Sequence, residues 1–248
     1  MEKICLIRQP AGLGDIFYCL KIAKEISKLG YNVIWPISSS ITYLPDYLEE
    51  IDNIDFVDEN SNFKYKQYYN SSEMLISEDN SFIYLPLQFS DRIANSDDYF
   101  ANNTMVKMNV KYRWINMSPS DWSDFFKIKR NESREQKLFS ELNPDNEKYI
   151  LTNLNFGTPP HTDICRFSPD IREDIKIIKM EIYPNYNLFD WCKIIENAEE
   201  VHTVETSVIL LMEKLNVPKK IVMYSRHVPS SFHPMEDWIK NKWEFHYA

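Results

Sequence analysis

Two kinds of hydrophobic pattern alternate over the first 37 residues of the chain. Residues 3–8, KICLIR, and residues 31–37, YNVIWPI, are short apolar runs of the kind found in buried strands. Between them, apolar side chains recur at helical spacing over residues 15–30, with lysines and a glutamate on the opposite side. Gly30 is expected to end this helix. A strand, a helix and a second strand in this order predict a parallel β-α-β unit with a right-handed crossover.

The same alternation returns after residue 148. Two amphipathic helices are predicted among the later strands. The first opens at Asn187 with Asp190 as its capping partner, and the second opens at Thr206 or Ser207 and stops before Pro218. The strands predicted around these helices cover residues 149–154, 175–180, 201–204 and 219–224.

The middle of the chain is less regular. Residues 53–58 and 81–87 have strand patterns, and residues 121–142 have a helical pattern in two pieces around Asn131. Residues 61–81 mix aromatic, basic and polar side chains and are expected to form a hairpin or an irregular excursion. This excursion is either an acceptor surface or a partly buried loop.

A cluster of Pro, Asn and Asp at residues 143–148 separates the two regular halves and is the best linker candidate. We therefore predict two domains, 1–145 and 146–248. The predicted fold class is α/β, with two Rossmann-like domains that face a cleft, the second of them small. The loop after the first strand of each domain is expected to open toward that cleft.

Composition narrows the possible functions. Hydrophobic residues make up 44% of the 248 residues, which is enough to build packed cores. The net charge is −9 and no run of Lys and Arg is long enough to follow a nucleic-acid backbone, so general nucleic-acid binding is disfavoured. A phosphorylated small ligand is not excluded, because a few local donors can bind one phosphate group against the overall field.

The sequence gives no sign of export or of a resident metal. Arg8 and Gln9 interrupt the apolar run at the N-terminus, which argues against a signal peptide, and no window of 18 apolar residues predicts a membrane span. The histidines lack metal-ligand spacing such as HExxH, so no metal site is expected, and His202 is expected to be structural. The cysteines have neither CxxC nor metal spacing and are interpreted as reduced core thiols of a cytoplasmic protein. They are Cys5, Cys19, Cys165 and Cys192.

Three of the chain's four glycines lie close together near the N-terminus. Gly12 and Gly14 fall between the first predicted strand and helix, where ligands bind in open α/β sheets. The alternative is a tight turn that needs positive φ angles. The spacing is not the dinucleotide-binding fingerprint, because Phe17 stands where the third glycine would be and the second strand is not followed by an acidic residue. A Rossmann oxidoreductase is therefore disfavoured. Gly157 follows the first strand of the second domain.

Two segments carry a family resemblance. They are AGLGDIFYCLKIAKEI, residues 11–26, and AEEVHTVETSVILLMEKLNVPKKIVMY, residues 198–224. Both resemble the ADP-heptose:lipopolysaccharide heptosyltransferases, whose GT-B fold also fits two α/β domains without a DxD triplet. The resemblance implies a metal-independent, inverting glycosyltransferase without a cofactor. It would move a sugar from a nucleotide-diphosphate donor to a hydroxyl of a glycan or another acceptor.

The chain departs from that family at one element. Where the family has Asp-Thr-Gly and then a helix histidine, this sequence has Glu205, Thr206 and Ser207, followed by Leu210 and Leu211. This difference and the shorter chain keep an alternative open, namely a non-catalytic protein that binds a nucleotide sugar or a glycan. The oligomeric state is left open by the sequence.

The resemblance implies the role of Asp15, and residue chemistry suggests a role for each of the other candidates. Asp15 would be the general base, although its position also suits a carboxylate that merely caps the helix. The helix start at Thr206 would stabilise the leaving diphosphate, and Glu205 would accept a hydrogen bond from a ribose or sugar hydroxyl unless it is only a solvated strand end. Arg166 would supply counter-charge, with Arg8 and Arg226 as runners-up, each of which also fits a surface cation. The donor-binding set is Gly12, Gly14, Gly157, Arg166, Glu205, Thr206 and Ser207.

Overall fold

The structure is a computed structural model with two compact units, Met1–Lys129 and Arg130–Ala248. The division falls 16 residues before the boundary predicted at 145–146, so the segment 130–145 belongs to the second unit. The residues that the structure describes are 2–88, 104–113, 115–154, 171–172, 174–225 and 239–247.

The first unit is built on one five-stranded sheet. Its strands are β1 (Lys3–Ile7), β2 (Tyr31–Ile37), β3 (Ile54–Asp58), β4 (Leu75–Ile76) and β5 (Phe82–Leu85). They lie in the order β3-β2-β1-β5-β4, and all neighbours are parallel except β4, which runs antiparallel to β5. In the centre, Cys5 lies opposite Val33 on one side and Ile83 on the other. The strands predicted in this half of the chain are confirmed.

Among the described residues, three helices belong to the first unit: α1 (Leu13–Lys28), α2 (Thr104–Arg113) and α3 (Trp122–Phe125). The amphipathic pattern predicted α1, whose apolar side is fully buried. Aromatic rings join the helices: Phe17 stacks on Phe126 at 4.3 Å between centroids, and Tyr18 meets Tyr112 edge-on at 4.9 Å. The sequence did not predict α2, because its apolar side chains do not recur at helical spacing.

The second unit is also built on a five-stranded sheet. Its strands are β6 (Tyr149–Asn153), β7 (Lys176–Lys179), β8 (Glu200–Val204), β9 (Lys220–Ser225) and β10 (Glu244–Tyr247). They lie in the order β10-β9-β8-β6-β7, and every neighbouring pair is parallel. The helices are α4 (Glu132–Leu142), α5 (Cys192–Asn197), which a 3-10 turn precedes, and α6 (Ser207–Met212). The capping box predicted for Asn187 and Asp190 is confirmed at that 3-10 turn.

Ion pairs attach α4 to the second unit. Arg130, just before α4, binds Glu135 within α4 and reaches Glu196 in α5, with 2.9 Å between Nη2 and Oε2 of Glu196. Arg134 donates two hydrogen bonds to the fully buried carboxylate of Asp190, from Nε to Oδ1 at 2.8 Å and from Nη2 to Oδ2 at 2.7 Å. These contacts explain why the boundary lies before α4 rather than after it.

Three of the four cysteines lie in described residues and are free and buried, as predicted: Cys5, Cys19 and Cys192. Burial raises the pKa of the Cys19 thiol to about 12, so this thiol stays protonated at neutral pH. Cys165 lies outside the described residues. Among the helices that the structure describes, none combines the length and apolar character required to cross a bilayer.

His202 is a buried part of the second sheet, which confirms the structural role predicted for it. Its Nδ1 lies 2.9 Å from the hydroxyl of Tyr224 and its Nε2 lies 3.2 Å from Glu200 Oε2. Because a carboxylate only accepts hydrogen bonds, Nε2 carries the proton and Nδ1 accepts from Tyr224. Glu200 is held in turn by Lys220 at 2.7 Å.

Acidification is expected to destabilise the second unit through His202. Burial lowers the native-state pKa of His202, so the unfolded chain, which titrates near about 6.5, takes up a proton that the native protein does not. The contribution of neutral, buried His202 to the free energy of unfolding is therefore fully present above about pH 6.5. Below that pH it decreases by at most about 1.4 kcal/mol for each pH unit of acidification. Urea unfolding at about pH 7.5 and about pH 5.5 should show a smaller loss in His202→Gln than in the wild type. An equal loss in both proteins would contradict this.

Candidate functional site

The turn between β1 and α1 forms the candidate site of the first unit. Gly12 is the N-cap of α1 and has a φ of 79°, which a residue with a side chain adopts only under strain. Its carbonyl accepts the first helical hydrogen bond, from the amide of Ile16 at 3.0 Å. Gly14 already lies in the first turn of α1. The need for a positive φ thus applies to Gly12, whereas the same expectation for Gly14 is wrong.

Asp15 does not cap the helix. Among the described residues, no amide of the first turn donates to its carboxylate, and Oδ1 instead lies 2.9 Å from the ammonium of Lys111 in α2. The side chain of Asp15 is 36% exposed, whereas that of Lys111 is 6% exposed. The alternative that Asp15 serves only as a cap is therefore wrong, because one oxygen of its carboxylate pairs with Lys111 instead.

A second polar side chain fixes Lys111 and the turn. Lys111 donates to Gln9 Oε1, and Gln9 Nε2 donates to the carbonyl of Ala11 at 2.7 Å. The backbone of Gln9 also accepts from the indole of Trp35 at 3.0 Å. Sequence reasoning missed Lys111 and Gln9, because Lys111 lies far along the chain from the turn and no motif connects the two.

Replacing Gly12 with alanine is expected to disturb both the turn and Asp15. An added Cβ would lie 2.6 Å from Asp15 Oδ2, so the carboxylate must move, and the positive φ adds strain of about 1–2 kcal/mol. Gly30, at the other end of α1, has a φ of 86° and no atom within 4 Å of an added Cβ. Gly30→Ala is the matched control, since it carries the backbone strain alone.

The two alanine variants should differ in activity more than in stability. Unfolding in urea should give similar losses for both variants. If Asp15 is the base that the family resemblance implies, turnover should fall about 10-fold or more in Gly12→Ala alone, because a shifted carboxylate would miss the acceptor hydroxyl. Equal turnover in the two variants would contradict the placement of Asp15 in the site.

The second unit has a comparable edge where β6 and β8 end. Thr206 is the N-cap of α6 and Ser207 is its first residue, and both are half-buried. Asn153, the last residue of β6, donates to Thr203 Oγ1 at 2.9 Å and to Thr206 Oγ1 at 3.1 Å. Glu205 is 6% exposed and so is not a solvated strand end. Asn153 was not predicted, although a polar residue at the end of a buried strand is a usable signal.

Of the three arginines proposed as counter-charge for the diphosphate, the structure describes Arg8. Arg8 is occupied within the first unit, where it donates to the carbonyl of Tyr69 and to Gln88 Oε1. Gly157, Arg166 and Arg226 lie outside the described residues. Within the part of the chain that the structure describes, no group of three or more His, Cys, Asp or Glu side chains is placed to hold a metal ion.

Comparison with known proteins identifies the fold. No family model and no curated protein matches the sequence. Among solved structures, a glycosyl transferase family 9 protein from Veillonella parvula has a TM-score of 0.51 at 10% identity, over 100% of this chain and 88% of that chain. The iron-containing dodecameric glycosyltransferase TibC from enterotoxigenic E. coli has a TM-score of 0.51 at 12% identity, over 95% of this chain. The fold is that of the GT-B glycosyltransferases.

The GT-B fold confirms the predicted α/β class with two Rossmann-like units. TibC has also been solved in complex with ADP-D-β-D-heptose, and that structure matches 96% of this chain with a TM-score of 0.51 at 10% identity. This chain spans 65% and 66% of the length of the two TibC chains. At identities of 10–12%, the likeness shows the fold, and the reaction of this GT-B protein is a matter of proposal.

Proposed function

We propose that this protein is a metal-independent, inverting glycosyltransferase that needs no cofactor. It moves a sugar from a nucleotide-diphosphate donor to a hydroxyl of a glycan or another acceptor. The first unit takes the acceptor and the second takes the donor. The observation that carries the proposal is Asp15, a partly exposed carboxylate at the β1–α1 turn of a GT-B fold, where it does not cap the helix.

In the proposed reaction, Asp15 accepts the proton of the acceptor hydroxyl. The hydroxyl oxygen attacks the anomeric carbon as the bond from that carbon to the diphosphate oxygen breaks. The bonding electrons leave with the nucleoside diphosphate, and the proton remains on Asp15 until solvent removes it. A single displacement inverts the anomeric configuration, and a positioned base contributes roughly 10²–10⁴ to the rate.

The donor is assigned to the edge formed by Glu205, Thr206 and Ser207. Asn153 supports this assignment because its amide orients the hydroxyl of Thr206 at 3.1 Å. The buried carboxylate of Glu205 would accept from a sugar or ribose hydroxyl. Gly12 and Gly14 let backbone approach the ligand closely. Gly157 and Arg166 stay in the proposed donor set as sequence predictions.

A non-catalytic binding protein is the second candidate. The observation that favours it is the apolar pair Leu210 and Leu211, which stands where the heptosyltransferases have a helix histidine. Both leucines are buried, with exposures of 5% and 0%, so they fill the core of the second unit rather than offer a polar group.

A donor screen distinguishes the candidates. Thermal unfolding with a panel of nucleotide sugars should show stabilisation of about 2.7 kcal/mol when the ligand is at about 100 times its Kd. Stabilisation together with release of nucleoside diphosphate supports the transferase, including when EDTA is present. Stabilisation without release supports the binding protein, and the absence of stabilisation by every donor would contradict both.

A further inference from the structure

We propose that Lys111 is the positioning residue of the transferase, setting the direction in which the Asp15 carboxylate presents its free oxygen. This inference rests on the proposed function, because it assigns Lys111 a role in the reaction of Asp15. Nothing in the sequence motifs marks Lys111. The geometry of α2 against the β1–α1 turn points to it.

The backbone around Lys111 is fixed on both sides. Tyr18 of α1 donates from its hydroxyl to Asn109 Oδ1 at 2.8 Å, and the fully buried Tyr112 donates to the carbonyl of Tyr18. Lys111 lies between these two contacts. The end of α2 is therefore docked on α1, and the ammonium reaches the turn from a rigid base.

Two side-chain oxygens among the described residues also fix the position of the Lys111 ammonium. Lys111 Nζ lies 2.9 Å from Asp15 Oδ1 and also donates to Gln9 Oε1. The amide of Gln9 is oriented in turn, because its Nε2 donates to the carbonyl of Ala11 at 2.7 Å. Lys111 and Gln9 are both buried, so water does not compete strongly for their polar atoms. Together the side chains of Lys111 and Gln9 form a buried hydrogen-bonded pair beside the β1–α1 turn, which we call the brace.

The brace acts on one oxygen of Asp15 and leaves the other available. Oδ1 is held by Lys111, whereas no donor among the described residues contacts Oδ2, which lies 2.6 Å from the position that a Cβ at Gly12 would occupy. A base acts only when its lone pair points at the proton that it removes, and a misplacement of about 1 Å can cost on the order of 10²-fold in rate. Lys111 thus selects Oδ2 as the oxygen that meets the acceptor hydroxyl.

A second buried lysine provides a matched control. Lys21 in α1 binds Asp121, with side-chain exposures of 9% and 47%, close to the 6% and 36% of the Lys111 and Asp15 pair. Lys21 lies nearly two helical turns from Asp15 and contacts the carbonyl of Ser118 instead of the β1–α1 turn. Lys21→Met therefore removes a comparable ion pair from the same unit without touching the site.

The test compares turnover in the full chain with a donor identified by the screen. Lys111→Met should lower kcat by roughly 10-fold to 100-fold while the KM for the donor changes by less than about 3-fold, because the brace directs the base and does not hold the donor. Lys111→Arg, which keeps the charge, should recover part of that loss. Lys21→Met should keep kcat within about 3-fold of the wild type, and urea unfolding should show that both methionine variants are folded.

A double variant separates positioning from a purely structural role. In the background of Asp15→Asn, Lys111→Met should cause no further loss of kcat, since Lys111 acts through Asp15. Equal kcat for Lys111→Met and Lys21→Met, or full additivity in the double variant, would overturn the inference while leaving the proposed function standing. A wild-type protein that never releases nucleoside diphosphate would instead overturn the proposed function, and this inference with it.

Discussion

Replacing Asp15 with asparagine is expected to lower kcat by roughly 10²–10⁴-fold, the usual contribution of a positioned general base. Asparagine keeps the shape of the side chain but cannot take up the proton of the acceptor hydroxyl. Donor affinity should stay within about 3-fold of the wild type, because the donor is assigned to the second unit and only the transition state loses an interaction. Single-turnover release of nucleoside diphosphate, with a separate titration of donor binding, measures both quantities.

The control for this variant is Asp121→Asn. Asp121 is the carboxylate partner of the buried Lys21 in the same unit, so its replacement also leaves a buried ammonium without its counter-charge. Turnover of Asp121→Asn should remain close to that of the wild type. If Asp15→Asn keeps more than about a tenth of wild-type turnover, Asp15 is not the base.

The second large effect is expected on stability. Asp190→Asn should lower the free energy of unfolding by about 2–4 kcal/mol, because it removes the charge that faces Arg134 and weakens the capping box of the 3-10 turn before α5. The Asp190 carboxylate is 0% exposed, binds Arg134 through two oxygens and accepts from the amide of Asn187 at 2.8 Å. Arg134 is 38% exposed, so water offsets part of the loss. Equilibrium unfolding in urea provides the measurement.

An exposed pair in the same unit gives the comparison for that variant. Lys148 and Glu199 lie 3.1 Å apart with side-chain exposures of 78% and 41%, and such pairs add little to stability. Glu199→Gln should therefore change the free energy of unfolding by less than about 0.5 kcal/mol. Losses of equal size in Glu199→Gln and Asp190→Asn would show that α4 is not held by its buried ion pair.

Local patterns in the sequence were sufficient to predict most of the fold. Apolar runs predicted the positions of eight of the ten strands that the structure describes, all except β4 and β10, because a buried parallel strand must be apolar on both faces. The helix over residues 15–30 and the capping box at Asn187 were predicted for the same reason, since each depends on neighbours within a few residues.

Features that depend on distant contacts were not predictable. The boundary at 143–148 was placed on turn-forming residues, and these form a turn within the second unit, where Asn143 Nδ2 donates to the carbonyl of Glu147 at 2.9 Å. The attachment of α4 depends on Arg134 and Asp190, which are 56 residues apart. Composition marks where a chain turns, but only contacts show which unit a helix joins.

The residues of the candidate site also divide into those that a local pattern marks and those that only distant contacts bring together. Gly12 and Asp15 were predictable because both belong to one short turn between a strand and a helix. Lys111 was not, since it is brought to Asp15 by the docking of α2, a helix without a regular apolar pattern. A lone lysine in an irregular segment carries no signal before the fold is known.

The account is tested most directly by the anomeric configuration of the product. The wild-type protein is incubated with the nucleotide sugar that stabilises it most and with an acceptor sugar, and proton NMR follows the anomeric signals. We predict one nucleoside diphosphate released for each glycosidic bond formed, with the configuration opposite to that of the donor. A donor that stays bound and intact, or a product that retains the donor's configuration, would contradict a single displacement assisted by Asp15.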